Sequence, residues 1–257
     1  MRRTDRSEYV AAREALRPGE PDQMSGAMNA APMRVGLRVL LTFAWVAMAA
    51  GQVNAQADLT VSALKIAYAR ECNTQLHYMA YAARADREGQ PVAALAFRSA
   101  AAGESVHAAQ HAARLEALDV RPDWTRESVV IRSAEENLCT AIAKEMAENR
   151  FVYRQLVDQV RSECDYDGMA SLNFARTAEL THAALLAEVL RDLAKPQDTP
   201  GLQLASFTAA AGSRVRLYVC TGDGSVFTHA IEHSCPNCGS GINSFRAMEV
   251  ERTLTVE

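Results

Sequence analysis

The chain has 257 residues and a formal net charge of −4. Hydrophobic residues at 49% and charged residues at 23% exclude a wholly disordered chain, and the acidic balance argues against nucleic acid as a main partner. Aromatics at 6%, with 13 Gly and 8 Pro, point to helix rather than an all-β fold, and six cysteines are too few for a disulfide scaffold.

The first 57 residues read as a processed segment. Met33-Arg34-Val35-Gly36-Leu37-Arg38 is a short basic start, Val39–Ala50 is an uncharged apolar run, and Ala55-x-Ala57 is a small-residue cleavage pattern. Together they predict a secretory signal peptide, hence a periplasmic or secreted protein. An uncleaved membrane anchor is the alternative. Twelve apolar residues span about 18 Å as helix, however, against a hydrocarbon core of about 30 Å. The 32 polar residues ahead of the basic start fit a translation start at Met33 or Met28. Removing residues 1–57 takes away seven Arg and five acidic residues and leaves a 200-residue chain at net −6.

Residues 58–195 carry four predicted helices, over about 59–87, 91–118, 130–163 and 169–194. Gly89-Gln90-Pro91, Arg121-Pro122, Asp165–Gly168 and Pro196 interrupt or end them. Short connections within the first and last pairs predict an antiparallel four-helix bundle. Residues 196–211 read as a linker. From 212 onward short β-like pieces with Gly and paired Cys predict a small second domain.

Each helix carries a glutamate in its apolar stripe. The stripes are Leu64, Tyr68, Glu71, Thr74, Tyr78; then Phe97, Ala100, Glu104, His107, His111; then Leu138, Ala141, Glu145, Glu148, Val152; and Leu172, Ala175, Glu179, His182, Leu186. Burying ionised carboxylates without partners costs several kcal/mol or more, so four of them at one depth call for shared cations. Glu71 to Glu104 is 33 residues and Glu145 to Glu179 is 34, which returns each helix pair to the same level. Glu104-x-x-His107 and Glu179-x-x-His182 each place Glu and His on one helix face. A Glu from two helices plus Glu-x-x-His from the other two is the ligand set of carboxylate-bridged di-iron bundles. Tyr78 and Tyr153 are either plain core or hydrogen-bond partners of the ligand carboxylates. His107 with His111 also offers a weaker zinc pattern. Cys72, Cys139 and Cys164 are expected to be buried free thiols, with a disulfide as the alternative in an oxidising compartment.

On these residues the sequence resembles the rubrerythrin family. The resemblance is carried by Glu71-x6-Tyr78, the Glu88-Gly89 turn, Phe97…Glu104-x-x-His107-Ala108, Glu136-Asn137-Leu138-x-x-Ala141-Ile142-x-x-Glu145, Glu145-x-x-Glu148 and Glu179-x-x-His182. It covers about 61–190 and resumes at 218–246. It implies a mainly α fold, with a ferritin-like four-helix bundle followed by a rubredoxin-like domain. It also implies two irons. Glu104 and Glu179 would bridge them, Glu71 with His107 or Glu148 would complete one, and Glu145 with His182 the other. In the family the residue at the Glu148 position exchanges with the histidine at the His107 position as the iron changes oxidation state. The extra residue in the second half is expected in the 164–170 turn.

The tail resembles a rubredoxin module through Tyr218-Val219-Cys220-x-x-Asp223-Gly224 and Cys235-Pro236-Asn237-Cys238-Gly239, but Asp223 stands where a fourth cysteine belongs. The open readings are an altered metal site (Cys220, Asp223, Cys235, Cys238, with Fe or Zn), a Cys3His set using His229 or His233, and a disulfide without metal. The resemblance implies a di-iron peroxidase reducing hydrogen peroxide to water in oxidative-stress defence, with an unidentified electron donor, in a homodimer where one chain's tail approaches the other chain's irons. The alternatives are a ferroxidase or iron-sequestering protein using dioxygen, and a non-enzymatic metal-binding module.

Overall fold

The computed structural model describes residues 35–194 and 214–251, with side chains from Leu59 onward. Met28, Met33 and the whole predicted linker lie outside the described residues, as do the side chains of the predicted signal segment. The chain divides into two compact units, 1–47 and 48–257. In the first, the helical backbone begins at Val35. Everything below concerns the second. Among the described residues no helix is long and apolar enough to cross a membrane.

The helices are α1 (Val35–Arg87), α2 (Pro91–Ala117), α3 (Ala134–Ala147), α4 (Tyr153–Arg161) and α5 (Tyr166–Leu193). α3 and α4 form one rod joined by a π-helical turn at Glu148–Val152, so four rods make the bundle. The turn between α1 and α2 follows the sequence signals. Gly89 takes φ +67, a left-handed conformation that glycine adopts without steric cost, and Pro91 opens α2. α5 starts at Tyr166 rather than near 169, because the Asp165 carboxylate accepts the Gly168 N–H (3.0 Å) and caps the helix. α3 starts at Ala134 rather than near 130. Ser133 and Glu136 form a reciprocal capping box there that no residue upstream offers.

The long crossover from α2 to α3 is held by two buried asparagines. Asn73 Nδ2 donates to Thr125 O (3.1 Å) and its Oδ1 accepts Glu127 N–H (2.9 Å). Asn137 bonds both backbone groups of Arg132 at 3.0 Å. These bonds satisfy loop backbone that would otherwise lack partners against the bundle.

Two apolar cores lie along the bundle. One gathers Leu64 and Ala67 of α1, Leu115 of α2, Leu156, Val157 and Val160 of α4, and Leu172 of α5. The other gathers Tyr81 and Ala85, Phe97, Leu138, Leu186 and Val189, and continues into Val215, Leu217, Val219 and Val226 of the tail. The tail is a three-stranded antiparallel sheet in the order β2-β1-β3, with β1 Arg214–Cys220, β2 Val226–Phe227 and β3 Phe245–Glu251. It shares a core with the bundle. Of the three single cysteines, Cys139 and Cys164 are exposed and Cys72 is half-buried, which corrects the expectation of buried thiols. Cys139 falls on the outer face of α3, and Cys164 sits in the turn after α4 at φ +57.

Candidate metal centre

Glu71, Glu104, His107, Glu145, Glu148, Glu179 and His182 are all fully buried. α1 brings Glu71, α2 brings Glu104 and His107, α3 brings Glu145, and α5 brings Glu179 and His182. Their ligand atoms form two groups of four, each within 4.8 Å: Glu71, Glu104, His107, Glu179 and Glu104, Glu145, Glu179, His182. The groups share Glu104 and Glu179. His182 Nδ1 lies 3.4 Å from Glu104 Oε1 and 3.3 Å from Glu179 Oε2; His107 Nδ1 lies 3.0 Å from Glu104 Oε2 and 3.7 Å from Glu179 Oε1.

Both imidazoles are fixed from behind. His107 Nε2 donates to Asp223 O (2.9 Å) and His182 Nε2 donates to Gly224 O (3.0 Å). Carbonyls only accept, so both Nε2 atoms carry hydrogen and both Nδ1 atoms face the carboxylates. Two tyrosines fix carboxylates from the opposite rods. The Tyr78 hydroxyl donates to Glu145 Oε1 and the Tyr153 hydroxyl donates to Glu71 Oε1. Both tyrosines therefore hydrogen-bond carboxylates of the two paired groups. Behind Tyr153, His111 Nε2 sits 3.1 Å from the Tyr153 oxygen and its Nδ1 2.7 Å from Ser171 Oγ. His111 is therefore tied into hydrogen bonds outside both groups. His77 is half-buried and belongs to neither group.

Burial and the neighbouring charge of Glu104 push the Glu71 carboxyl up to about 8 and that of Glu145 to about 7. Burial, with Glu104 and Glu145 beside it, also raises Glu179 well above the carboxylate range. Burial opposes ionisation of Glu104 too, but His182 and His107 outweigh it and hold Glu104 well below the usual value. Burial disfavours charge on His107, yet Glu104 and Glu71 raise it well above an ordinary imidazole. Burial, with His107 beside it, drives His111 down to about 3, so it stays neutral. In the protein alone, protons hold the balance of charge here.

The donor set fits cations. Glu71 Oε2, Glu104 Oε1, Glu145 Oε2, both oxygens of Glu179 and His182 Nδ1 are buried without hydrogen-bond partners. Unpaired buried acceptors each carry a desolvation penalty of about 1–3 kcal/mol, and here they point at one another. Two ions held between Glu104 and Glu179 would satisfy them, and oxygen and imidazole donors of this kind suit iron. Glu148 stands outside both groups. Its Oε1 accepts Arg70 Nε (3.0 Å), Arg70 Nη2 (2.7 Å) and Lys144 Nζ (2.6 Å).

The tail offers a second group. Cys220, Asp223, Cys235 and Cys238 bring their ligand atoms within 4.8 Å of one another. Cys220 Sγ lies 3.7 Å from Cys238 Sγ, and Cys235 Sγ 3.3 Å from Asp223 Oδ2. The two knuckles are alike: Gly224 N–H donates to Cys220 O (2.9 Å) and Gly239 N–H to Cys235 O (2.8 Å), with both glycines at positive φ. Burial pushes the Cys235 thiol up to about 11 and raises Cys220 further. His229 and His233 are exposed and outside this group, so Asp223 is the residue that meets the three thiols. All six cysteines are free.

The rubrerythrin family profile matches residues 62–190, just over half of the chain and all six residues of the two paired groups. The chain belongs to the rubrerythrin family. Solved structures agree on the fold. Nigerythrin in its mixed-valence state and in its fully reduced, all-ferrous state each superpose with a TM-score of 0.63 at 21% identity, over 74% of this chain and 86% of theirs. Partially reduced nigerythrin gives a TM-score of 0.61 over the same shares. No curated protein matches the sequence. In this rubrerythrin-family chain the knuckle reaching the imidazoles is its own, docked further by Gln110 Nε2 donating to Gly222 O (2.6 Å) and Val226 N–H donating to Thr181 Oγ1 (2.9 Å).

Sequence reasoning missed Arg70 and Lys144. Each directly precedes a glutamate of the paired groups, and the i,i+4 spacing of Lys144 and Glu148 was the readable signal.

Proposed function

We propose that this chain is an exported di-iron protein that reduces hydrogen peroxide to water. The observation that carries the reading is the pair of buried donor groups sharing Glu104 and Glu179. Glu71 and His107 would hold one ion, Glu145 and His182 the other, and the two shared glutamates both. Two ferrous ions supply the two electrons that, with two protons, turn one hydrogen peroxide into two waters. The chain holds the donors rigidly. Tyr78 and Tyr153, whose hydroxyls burial and the adjacent carboxylates keep protonated, fix Glu145 and Glu71. The Asp223 and Gly224 carbonyls fix the imidazoles. The apolar cores on either side exclude water, which strengthens every charge interaction between them. One chain supplies every residue of both groups.

Substituting Glu104→Gln and Glu179→Gln together is expected to abolish iron binding and peroxide turnover. Iron remaining near two per chain in that double variant would overturn the assignment.

Asp223 favours a second reading. Three thiolates and a carboxylate make a harder donor set than four thiolates, and a third ion there, iron or zinc, would differ as an electron relay. The same di-iron site would then act as a ferroxidase or in iron sequestration. Peroxide consumption with a supplied reductant, against Fe(II) oxidation by dioxygen, separates the two.

Export draws its support from the sequence pattern of residues 33–57, a basic start, an apolar run and Ala55-x-Ala57. The mature form is tested by N-terminal sequencing of protein recovered from the periplasm.

A further inference from the structure

We infer that Ser171, His111 and Tyr153 form an inward-pointing hydrogen-bond chain that carries protons from the protein surface to Glu71. The inference rests on the peroxide-reducing reading above and says how that site takes up its protons.

The donors fix the direction. The Tyr153 hydroxyl has one hydrogen and gives it to Glu71 Oε1. Its oxygen is left to accept, so the 3.1 Å contact with His111 Nε2 is an N–H donated by the imidazole. His111 is hydrogen-bonded to two hydroxyls and burial keeps it neutral, so its other nitrogen is bare. Ser171 Oγ, 2.7 Å from that Nδ1, donates to it. Three donations in a row therefore point toward the pocket. Exposure falls along the same line, from 9% at Ser171 to 0% at His111, 1% at Tyr153 and 0% at Glu71. Ser171, in the first turns of α5, is the end that meets solvent.

A passage breaks one bond and forms one at each link. Ser171 takes a proton from solvent as it gives its own to Nδ1, Nε2 gives its hydrogen to the Tyr153 oxygen, and Tyr153 gives its own to Glu71 Oε1. One proton enters and no electron moves. Ser171, His111 and Tyr153 stay neutral because gain and loss coincide, as a buried chain requires. Reduction of one peroxide takes up two protons, in a pocket that the apolar cores close to water.

The other half of the bundle shows that packing does not ask for these residues. Leu186 stands four positions after His182 as His111 stands four after His107, and Ala96 stands eight before Glu104 as Ser171 stands eight before Glu179. Leu186 and Ala96 are fully buried in one apolar core with Tyr78, whose ring lies 6.0 Å from that of Phe97. Tyr78 still donates to Glu145. A tyrosine can thus orient its carboxylate with leucine and alanine at the matching positions, and only Tyr153 is backed by a polar path.

The test compares the full-length protein with His111→Gln and His111→Leu. Glutamine can accept from Ser171 and donate to Tyr153, so it keeps the orientation of Tyr153, but its amide does not pass a proton on. Leucine removes both bonds. Each protein is loaded with Fe(II), iron per chain is counted, and oxidation by hydrogen peroxide is followed by stopped-flow absorption. The expected result is full iron loading of the bundle in the parent and the glutamine variant, with oxidation slowed about tenfold or more in both variants. A glutamine variant as fast as the parent overturns the relay and makes His111 a positioning residue. A second readout needs no turnover. Long-range ¹⁵N–¹H correlation spectra of the parent loaded with diamagnetic Zn(II) are expected to show His111 with hydrogen on Nε2 and a bare Nδ1. Hydrogen on Nδ1 reverses the chain and overturns the relay, and this readout decides if neither variant folds. A parent that peroxide does not oxidise overturns the peroxide reading and the relay with it, whereas an active parent beside an equally active glutamine variant overturns the relay alone.

Discussion

Tyr153 donates its hydroxyl to Glu71 across the bundle, from 82 positions away in sequence, and Tyr78 does the same for Glu145. Each tyrosine thus orients a carboxylate from the other half of the chain. Tyr153→Phe leaves Glu71 Oε1 buried without its donor. The expected cost is about 1–3 kcal/mol in the metal-free protein, and a loss of about tenfold or more in affinity for the ion held by Glu71 and His107. Urea unfolding and metal titration check the two parts. Unchanged affinity would show that Glu71 is oriented by something else.

Much of this pair was readable. Glu71-x6-Tyr78 gave the first tyrosine, and the inward stripes put Glu71, Glu104, Glu145 and Glu179 on facing sides. All four are buried, as the stripes require. The second half differs by one residue, and the expected place for it, the 164–170 turn, is wrong. Glu145 to Tyr153 is eight positions where Glu71 to Tyr78 is seven, while each tyrosine precedes its next shared glutamate by 26. The extra residue sits in the π turn at Glu148–Val152, which re-aims the face so that Tyr153 rather than Val152 points inward. A period of 3.6 carries no mark of where a helix widens, so periodicity alone could not place it. Nor could it show Arg70 and Lys144 ending on Glu148, because cations at rod edges read as solvated. The Asp223 knuckle was legible from its spacing, but not its contact with His107, which depends on how the tail docks.

Metal uptake is expected to strengthen as pH rises. The groups facing the pocket are Glu71 on α1, Glu104 and His107 on α2, Glu145 on α3, and Glu179 and His182 on α5, with Tyr78 and Tyr153 behind them and Glu148 on its two cations. Glu71 titrates near 8 and Glu145 near 7 in the protein alone, and Glu179, His107 and His182 are also raised. Below those values each holds a proton that an incoming cation must displace, so affinity falls toward acid. Glu104, held well below the usual value, adds nothing in this range. Each displaced proton contributes about tenfold per pH unit below its titration point. Mn(II) titrations at pH 6, 7 and 8, with proton release followed in unbuffered solution, check this. A flat profile would mean the carboxyls are ionised before metal arrives.

Asp223→Cys is expected to convert the tail group to four thiolates without disturbing the bundle. The bond from His107 uses the backbone carbonyl of residue 223, which the substitution keeps. Gly224 follows in either case at φ +78, preserving the knuckle turn. With Co(II) as a probe, thiolate-to-metal absorption should intensify relative to the unmodified protein, and the bound ion should resist chelation longer. Asp223→Ala should weaken the tail site while leaving two ions in the bundle. If Asp223→Ala binds the tail ion as tightly as the parent, Asp223 is not a ligand.

The docking of tail on bundle depends on the absence of a side chain at residue 103. A Cβ there would come within 2.5 Å of both Gly224 O and His182 Nε2, the two atoms whose hydrogen bond orients His182. Backbone and a buried ring cannot yield as the end of a flexible side chain does, so Gly103→Ala must push the knuckle away or turn the imidazole. The helix itself gains from the exchange by about 1 kcal/mol, since alanine is the better helix former. Overpacking of a dense contact costs about 1–3 kcal/mol and outweighs that gain. Thermal unfolding should therefore show net destabilisation. Metal titration should show weaker binding at the ion held by Glu145 and His182, with the ion at Glu71 and His107 less affected. A variant as stable as the parent, with both ions bound at parental affinity, would show that the knuckle does not rest on α2 at this point.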